Sequence, residues 1–307
     1  MTDPIAPLSR PPLRRRGALA LSSAALVVAA CSPAGTAIEF ALGGLDADTP
    51  VTGYVASPDQ AYGLGPRQRL DVYAPPRAMN APVVVFWYGG GWRDGSRKQY
   101  RFVAEALVRQ GLVVAVPDYR LAPAATWPAF VEDGAAATAW VAANIARFGG
   151  DPRRITLSGH SAGGHIAHVL ALDPQWFDRV GVSRSTLAGI ATISGVTGFE
   201  RLEGPRWAPL FAAANPAGSH LPARLVASGA EGAPPFLLFA GAEDRLVPAP
   251  NTVRLARAID EAGGTARTVI YPDEDHFTVL LGLSSRYAGE RTLAPDLAAF
   301  VRKPDQA

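Results

Sequence analysis

The chain has 307 residues, of which 48% are hydrophobic, and a formal net charge of +2. That length suits one large domain with insertions, the apolar share allows a sizeable core, and the near-neutral balance gives no sign of the electrostatic footprint that nucleic-acid binding needs. The single cysteine, Cys31, excludes an intramolecular disulfide and a cysteine-based metal site.

The N-terminal segment carries Arg10, Arg14, Arg15 and Arg16, followed by an apolar run over 18–30. A positive start before a short apolar stretch predicts a secretory signal over 1–30, since the run is too short to span a bilayer comfortably. The run ends Val28-Ala29-Ala30-Cys31. That ending resembles the lipobox of bacterial lipoproteins. The resemblance implies lipidation at Cys31, a mature N-terminus there, and an exported protein anchored in the bacterial cell envelope. The open alternatives are a cleaved signal with a soluble periplasmic or secreted product, and a single membrane-anchoring helix. The arginine triplet also has a loose similarity to a twin-arginine signal. Residues 31–50, rich in Gly, Ala, Asp and Pro without a clear period, read as a tether, and the folded domain is expected over 51–307.

Within that domain, apolar strands alternate with helical stretches. Strands are expected at 69–73 and 83–87, the latter continuously apolar as in a strand buried on both faces. A helix over 98–110 stops at Gly111, a strand covers 112–116, and a long helix runs over 129–148 to Gly149-Gly150. Strands at 155–158, 187–194, 235–240 and 268–271 follow, with a helix after Ser161 and another to about 262 that Asn251 is expected to cap. A last helix ends near Arg302. This rhythm predicts a three-layer α/β fold with a mostly parallel sheet covered on both faces. The Pro- and Ala-rich stretch at about 195–230 breaks the rhythm and reads as a small cap insertion.

The chemistry is carried by four places. Gly159-His160-Ser161-Ala162-Gly163 is a G-x-S-x-G turn set between an apolar strand and a helical stretch. That context fits a nucleophile elbow, with Ser161 as the nucleophile. A serine hydroxyl needs a base in hydrogen-bond reach, a group to orient the base, and donors for the oxyanion. Gly89-Gly90-Gly91-Trp92, at the end of a buried strand, offers the amides of Gly90 and Gly91 as donors, joined by that of Ala162. In the elbow's usual chain order the acid and then the histidine follow the serine. His276 follows a strand and is chosen as the base over His220, which lies in the irregular stretch. Asp244, after the strand ending at Ala240, is the acid, with Glu243 as alternative. His165 and His168 share a helical face but lack a third ligand at zinc-site spacing, so no metal is expected.

These pieces, with Leu70-Asp71-Val72-Tyr73, Tyr88 before the glycines, and Asp118-Tyr119-Arg120-Leu121-Ala122-Pro123, resemble α/β-hydrolase-fold carboxylesterases of the hormone-sensitive-lipase-like and feruloyl-esterase-like group. The resemblance implies a serine carboxylesterase acting on small to medium carboxylic esters through an acyl-enzyme, with no cofactor. One departure is Tyr88, where the family usually has His. Asp118-Tyr119-Arg120 resembles a structural part and is given no chemistry. Trp92, Trp207 and Phe211 are candidates for an apolar pocket or for plain core. The rival readings are a formamidase-type amide hydrolase, a peptidase, and a non-catalytic envelope binding protein on the same fold.

Overall fold

The computed structural model describes residues 44–303, apart from 48, 201, 203, 285, 286 and 288–291. The expected signal, Cys31 and most of the expected tether lie outside the described residues.

Eight strands form one sheet: β1 (Val55–Ala61), β2 (Arg69–Ala74), β3 (Ala81–Trp87), β4 (Val113–Pro117), β5 (Gly150–His160), β6 (Leu187–Ile193), β7 (Phe236–Gly241) and β8 (Ala266–Tyr271). Their order is β1-β2-β4-β3-β5-β6-β7-β8. Only β2 runs against its neighbours, pairing antiparallel with β1 and β4, while the other pairs are parallel. The apolar runs occupy the centre. Val83 through Trp87 are fully buried, as continuous hydrophobicity demands of a strand covered on both faces.

The helices are α1 (Arg101–Arg109), α2 (Ala129–Asn144), α3 (Ala162–Leu172), α4 (Gln175–Asp178), α5 (Ala208–Phe211), α6 (Pro222–Gly229), α7 (Ala249–Glu261) and α8 (Leu293–Arg302). The strand order reverses at β3, which lies between β4 and β5. Ligands of open α/β sheets bind outside the C-terminal strand ends at such a reversal. The loop after β3 and the turn after β5 are therefore neighbours, although about seventy residues separate them in sequence.

Several boundaries differ from those expected, each for a local reason. β1 was not foreseen, because Val-Ala-Ser-Pro-Asp-Gln-Ala is a polar, Pro-containing edge whose register shifts between Ser57 and Gln60. The helix expected over 98–110 divides: Ser96 and Gln99 make a capping box on a 3₁₀ turn at Arg97–Gln99, and α1 starts only at Arg101. Asn251 does not cap α7. It lies in the first turn, behind Pro248, and its side-chain amide donates to Glu200 at 3.1 Å. The expected tether ends in contact with the domain, for the carboxylate of Asp46 accepts the Arg101 N–H at 2.7 Å. Between β6 and β7, α5 and α6 occupy the stretch expected to form a cap.

Candidate active site

β5 delivers Ser161 at its C-terminal end, and α3 begins at the next residue. Ser161 has φ 53° and ψ −116°, a conformation that L-residues avoid. Such a backbone costs of order 1–3 kcal/mol and persists only where the surroundings enforce it. Close packing enforces it here: a Cβ added to Gly163 would lie 2.0 Å from the Trp87 carbonyl oxygen. Only glycine lets the helix start so close to the end of β3. The turn thus projects the serine above the sheet edge.

The hydroxyl of Ser161 is 2.9 Å from Nε2 of His276, and Nδ1 of His276 is 2.8 Å from Oδ2 of Asp244. The second oxygen of Asp244 accepts the backbone N–H groups of Leu246 and Val247 at 2.9 and 2.8 Å. Burial pushes the Asp244 carboxyl upward, but the hydrogen bond and charge of His276 and the Val247 N–H outweigh it and hold the pKa below the ordinary value. Asp244 is therefore a carboxylate at neutral pH. It fixes the tautomer of His276 with the proton on Nδ1 and leaves Nε2 free to accept from Ser161. His220, the other candidate base, lies between α5 and α6, stacked on Phe211 at 4.3 Å.

The glycine loop after β3 packs against the same serine. A Cβ on Gly89 would stand 3.2 Å from the Ser161 Cβ. Gly90 has φ 117°, and its carbonyl accepts the N–H groups of Arg93 and Asp94, both at 3.1 Å, which curls the loop. Ala162 is the first residue of α3, so its N–H has no carbonyl a turn back in the helix. The Ser161 N–H is taken by the Ile193 carbonyl at 3.1 Å. The glycine loop thus touches the nucleophile at Gly89, and Ala162 follows Ser161 directly at the start of α3.

Tyr88 replaces the expected histidine without loosening this loop. Its hydroxyl donates to Asp118 at 2.9 Å and accepts from Arg67 at 2.6 Å. Its ring stacks on Tyr119 at 4.7 Å and Tyr100 at 5.5 Å, and Tyr119 in turn donates to the Tyr88 carbonyl at 3.0 Å. Burial raises the Tyr88 pKa well above its ordinary value, so the phenol stays a donor. Asp118 also pairs with Arg97, which reaches Asp71 at 2.9 Å and Asp59 at 2.7 Å. Asp118-Tyr119-Arg120 therefore has a mechanical task, tying the loop after β3 to β1, β2 and the chain beyond β4.

Of the aromatic candidates, Trp92 and Phe211 are buried, with ring centres 5.1 Å apart. Both belong to the hydrophobic core, Phe211 from the end of α5. Trp207 is half-buried and covers Gly91, where a Cβ would lie 3.1 Å from its ring.

The three histidines at the elbow are hydrogen-bonded to main chain at the sheet edge. His165 Nε2 meets the His220 carbonyl at 2.7 Å, and His168 Nδ1 meets that of Val196 at 3.1 Å. His168 Nε2 is 2.8 Å from the Thr192 hydroxyl. His160 Nε2 meets the His276 carbonyl at 2.8 Å. Burial, as the leading cause, pushes their pKa values down to about 3 for His160, about 3 for His165 and about 4 for His168. All three are neutral near pH 7. His160 was legible only as part of the elbow, and its acceptor lies 116 residues further along the chain.

The BD-FAE family model matches residues 70–206. The isoprenylcysteine alpha-carbonyl methylesterase ICME of Arabidopsis thaliana is 30% identical over an alignment of 271 residues that covers 80% of this chain and 61% of that protein. The carboxylesterase NlhH of Mycobacterium tuberculosis is 48% identical over 103 residues, 33% of this chain and 32% of that protein. The chain thus spans only part of the length of each of these curated relatives. A solved esterase from Pyrobaculum calidifontis superposes with a TM-score of 0.70 at 26% identity, covering 90% of this chain and 93% of the other. Sheet order, motif order and the superposition give the chain the α/β-hydrolase fold, and its sequence is similar to those of carboxylesterases.

Proposed function

We propose that this protein is a serine carboxylesterase that hydrolyses small to medium carboxylic esters through an acyl-enzyme. The observation that carries the reading is the unbroken hydrogen-bonded chain Ser161–His276–Asp244, at 2.9 and 2.8 Å. Ser161 Oγ attacks the ester carbonyl as His276 Nε2 takes its proton. The imidazolium, stabilised by Asp244, then gives that proton to the leaving alcohol. Water repeats the sequence on the acyl-enzyme, releasing the acid and restoring Ser161. The amides of Gly90, Gly91 and Ala162 stabilise the oxyanion in both halves, and removing one such donor typically costs about 10²–10³ in rate.

Names of relatives that specify ester hydrolysis support the choice of ester over amide. The test is a panel of p-nitrophenyl acyl esters of increasing chain length beside a formyl-amide substrate. The reading expects kcat/KM on the best ester to exceed that on the amide. The reverse order would assign the site to a formamidase-type hydrolase.

The sequence Val28-Ala29-Ala30-Cys31 supports export and lipid attachment at Cys31 in the bacterial cell envelope. Among the described residues no helix is long and apolar enough to cross a membrane. Each buried CH₂ of an acyl chain contributes about 0.8 kcal/mol, and two or more chains hold a protein stably. Cys31→Ser is expected to move the protein from the membrane to the soluble fraction. Unchanged fractionation would contradict the anchor.

A further inference from the structure

His276 lies between β8 and the 3₁₀ helix at Thr278–Leu283, outside any regular element, so its main chain is held by individual contacts. On the far side of the loop the carboxylate of Asp275 accepts the N–H groups of Phe277 and Thr278, both at 2.8 Å. On the near side the contact is His160. Its Nε2 is 2.8 Å from the His276 carbonyl oxygen, and the two rings lie 4.7 Å apart with planes at 46°. A carbonyl only accepts, so the one proton of the neutral His160 ring is on Nε2. Nδ1 is then a bare acceptor, buried and without a hydrogen-bond partner, facing the backbone of Gly89, where a Cβ would stand 2.8 Å away. An unpaired buried acceptor is destabilising, and the chain carries it in the residue next to Ser161.

We infer that His160 is a positioning residue. Resting on the esterase reading above, it clamps the main chain of His276 so that Nε2 stays within hydrogen-bond reach of Ser161 while Nδ1 stays on Asp244. One rigid element, the end of β5, then holds the nucleophile directly and the base through a single hydrogen bond. A neutral clamp suits the position, because a second cation beside His276 would oppose formation of the imidazolium during turnover. Misplacement of a reacting group by about 1 Å can cost on the order of 10²-fold in rate, which sets the scale of the expected effect.

The test compares the full chain with His160→Leu, which removes the donor at similar volume, and His160→Gln, whose amide N–H reaches about where Nε2–H does. Rates of Ser161 phosphonylation by a fluorophosphonate probe, kcat and KM for p-nitrophenyl acetate, and melting temperature are measured for each. His160→Leu should lower kcat and the labelling rate by about 10- to 100-fold with KM within about threefold. His160→Gln should recover most of the loss. A folded His160→Leu protein with wild-type kcat, or a Gln variant as slow as Leu, would overturn the assignment. If the Leu variant fails to fold, His160→Asn takes its place, since its shorter amide cannot reach the His276 carbonyl. Gln is then expected to be about tenfold faster than Asn, and equal rates would overturn the clamp. A wild-type chain that the probe does not label would overturn the esterase reading and the clamp with it. A labelled wild type with an unimpaired Leu variant would remove the clamp alone.

Discussion

Ser161→Ala is expected to lower kcat for ester hydrolysis by roughly 10⁴–10⁶ while leaving KM and folding nearly unchanged. The hydroxyl is the group of this turn that meets His276 Nε2, and its removal takes the nucleophile out of the site. Residual activity would be that of water placed by His276 and the glycine loop. Because the three residues act as one unit, His276→Ala should cost about as much, and the double variant little more than either alone. The backbone at position 161 already has the unfavourable φ of 53°, so alanine inherits the strain and the stability change should be small. Steady-state kinetics on the best ester of the panel, with melting curves for each variant, check the whole set. Near wild-type hydrolysis by Ser161→Ala would remove Ser161 from the mechanism.

The second large effect is acid lability. His160, His165 and His168 titrate at about 3, 3 and 4 in the folded chain, against about 6.5 for an ordinary histidine. Between these values the unfolded chain binds more protons than the folded one, so stability falls as pH falls. The contribution is complete above about pH 6.5 and is progressively lost below it, toward the folded values. At pH 5 the loss is about 2 kcal/mol for each histidine. Asp244, with a depressed pKa, has its stabilising effect above the ordinary carboxylate range and adds to the loss only at lower pH. Urea unfolding at pH 7 and pH 5 should show the midpoint dropping steeply. His168→Gln, which cannot be protonated, should flatten the dependence by about one histidine's share. A midpoint constant between pH 7 and 5 would contradict buried, neutral histidines at these positions.

Much of the site could be read from sequence because it is built from local constraints. The elbow needs its glycines where the backbones of β3 and α3 nearly touch, as the 2.0 Å approach at Gly163 shows, and that requirement is written within five residues. Gly90 is legible for the same reason. Asp244 and His276 are legible from chain order, since each follows a strand of the parallel part of the sheet, whose loops gather at one edge. The parts that were not legible depend on distant partners. Tyr88 looks like a departure until Arg67, 21 residues before it, and Asp118, 30 residues after it, are seen at its hydroxyl. β1 was missed because an edge strand needs no apolar alternation when its outer side meets water. Trp92 and Trp207 are one residue type in sequence. Only the placement of α5 makes the first a core residue and the second the cover of Gly91.

The activation of Ser161 is measured by treating the purified chain with a fluorophosphonate and locating the adduct by mass spectrometry. One adduct per chain is expected, on Ser161, formed at a rate that falls sharply in His276→Ala. An unlabelled chain, or an adduct on another residue with Ser161 unmodified, would contradict it and favour a binding protein that has kept the hydrolase fold without its chemistry.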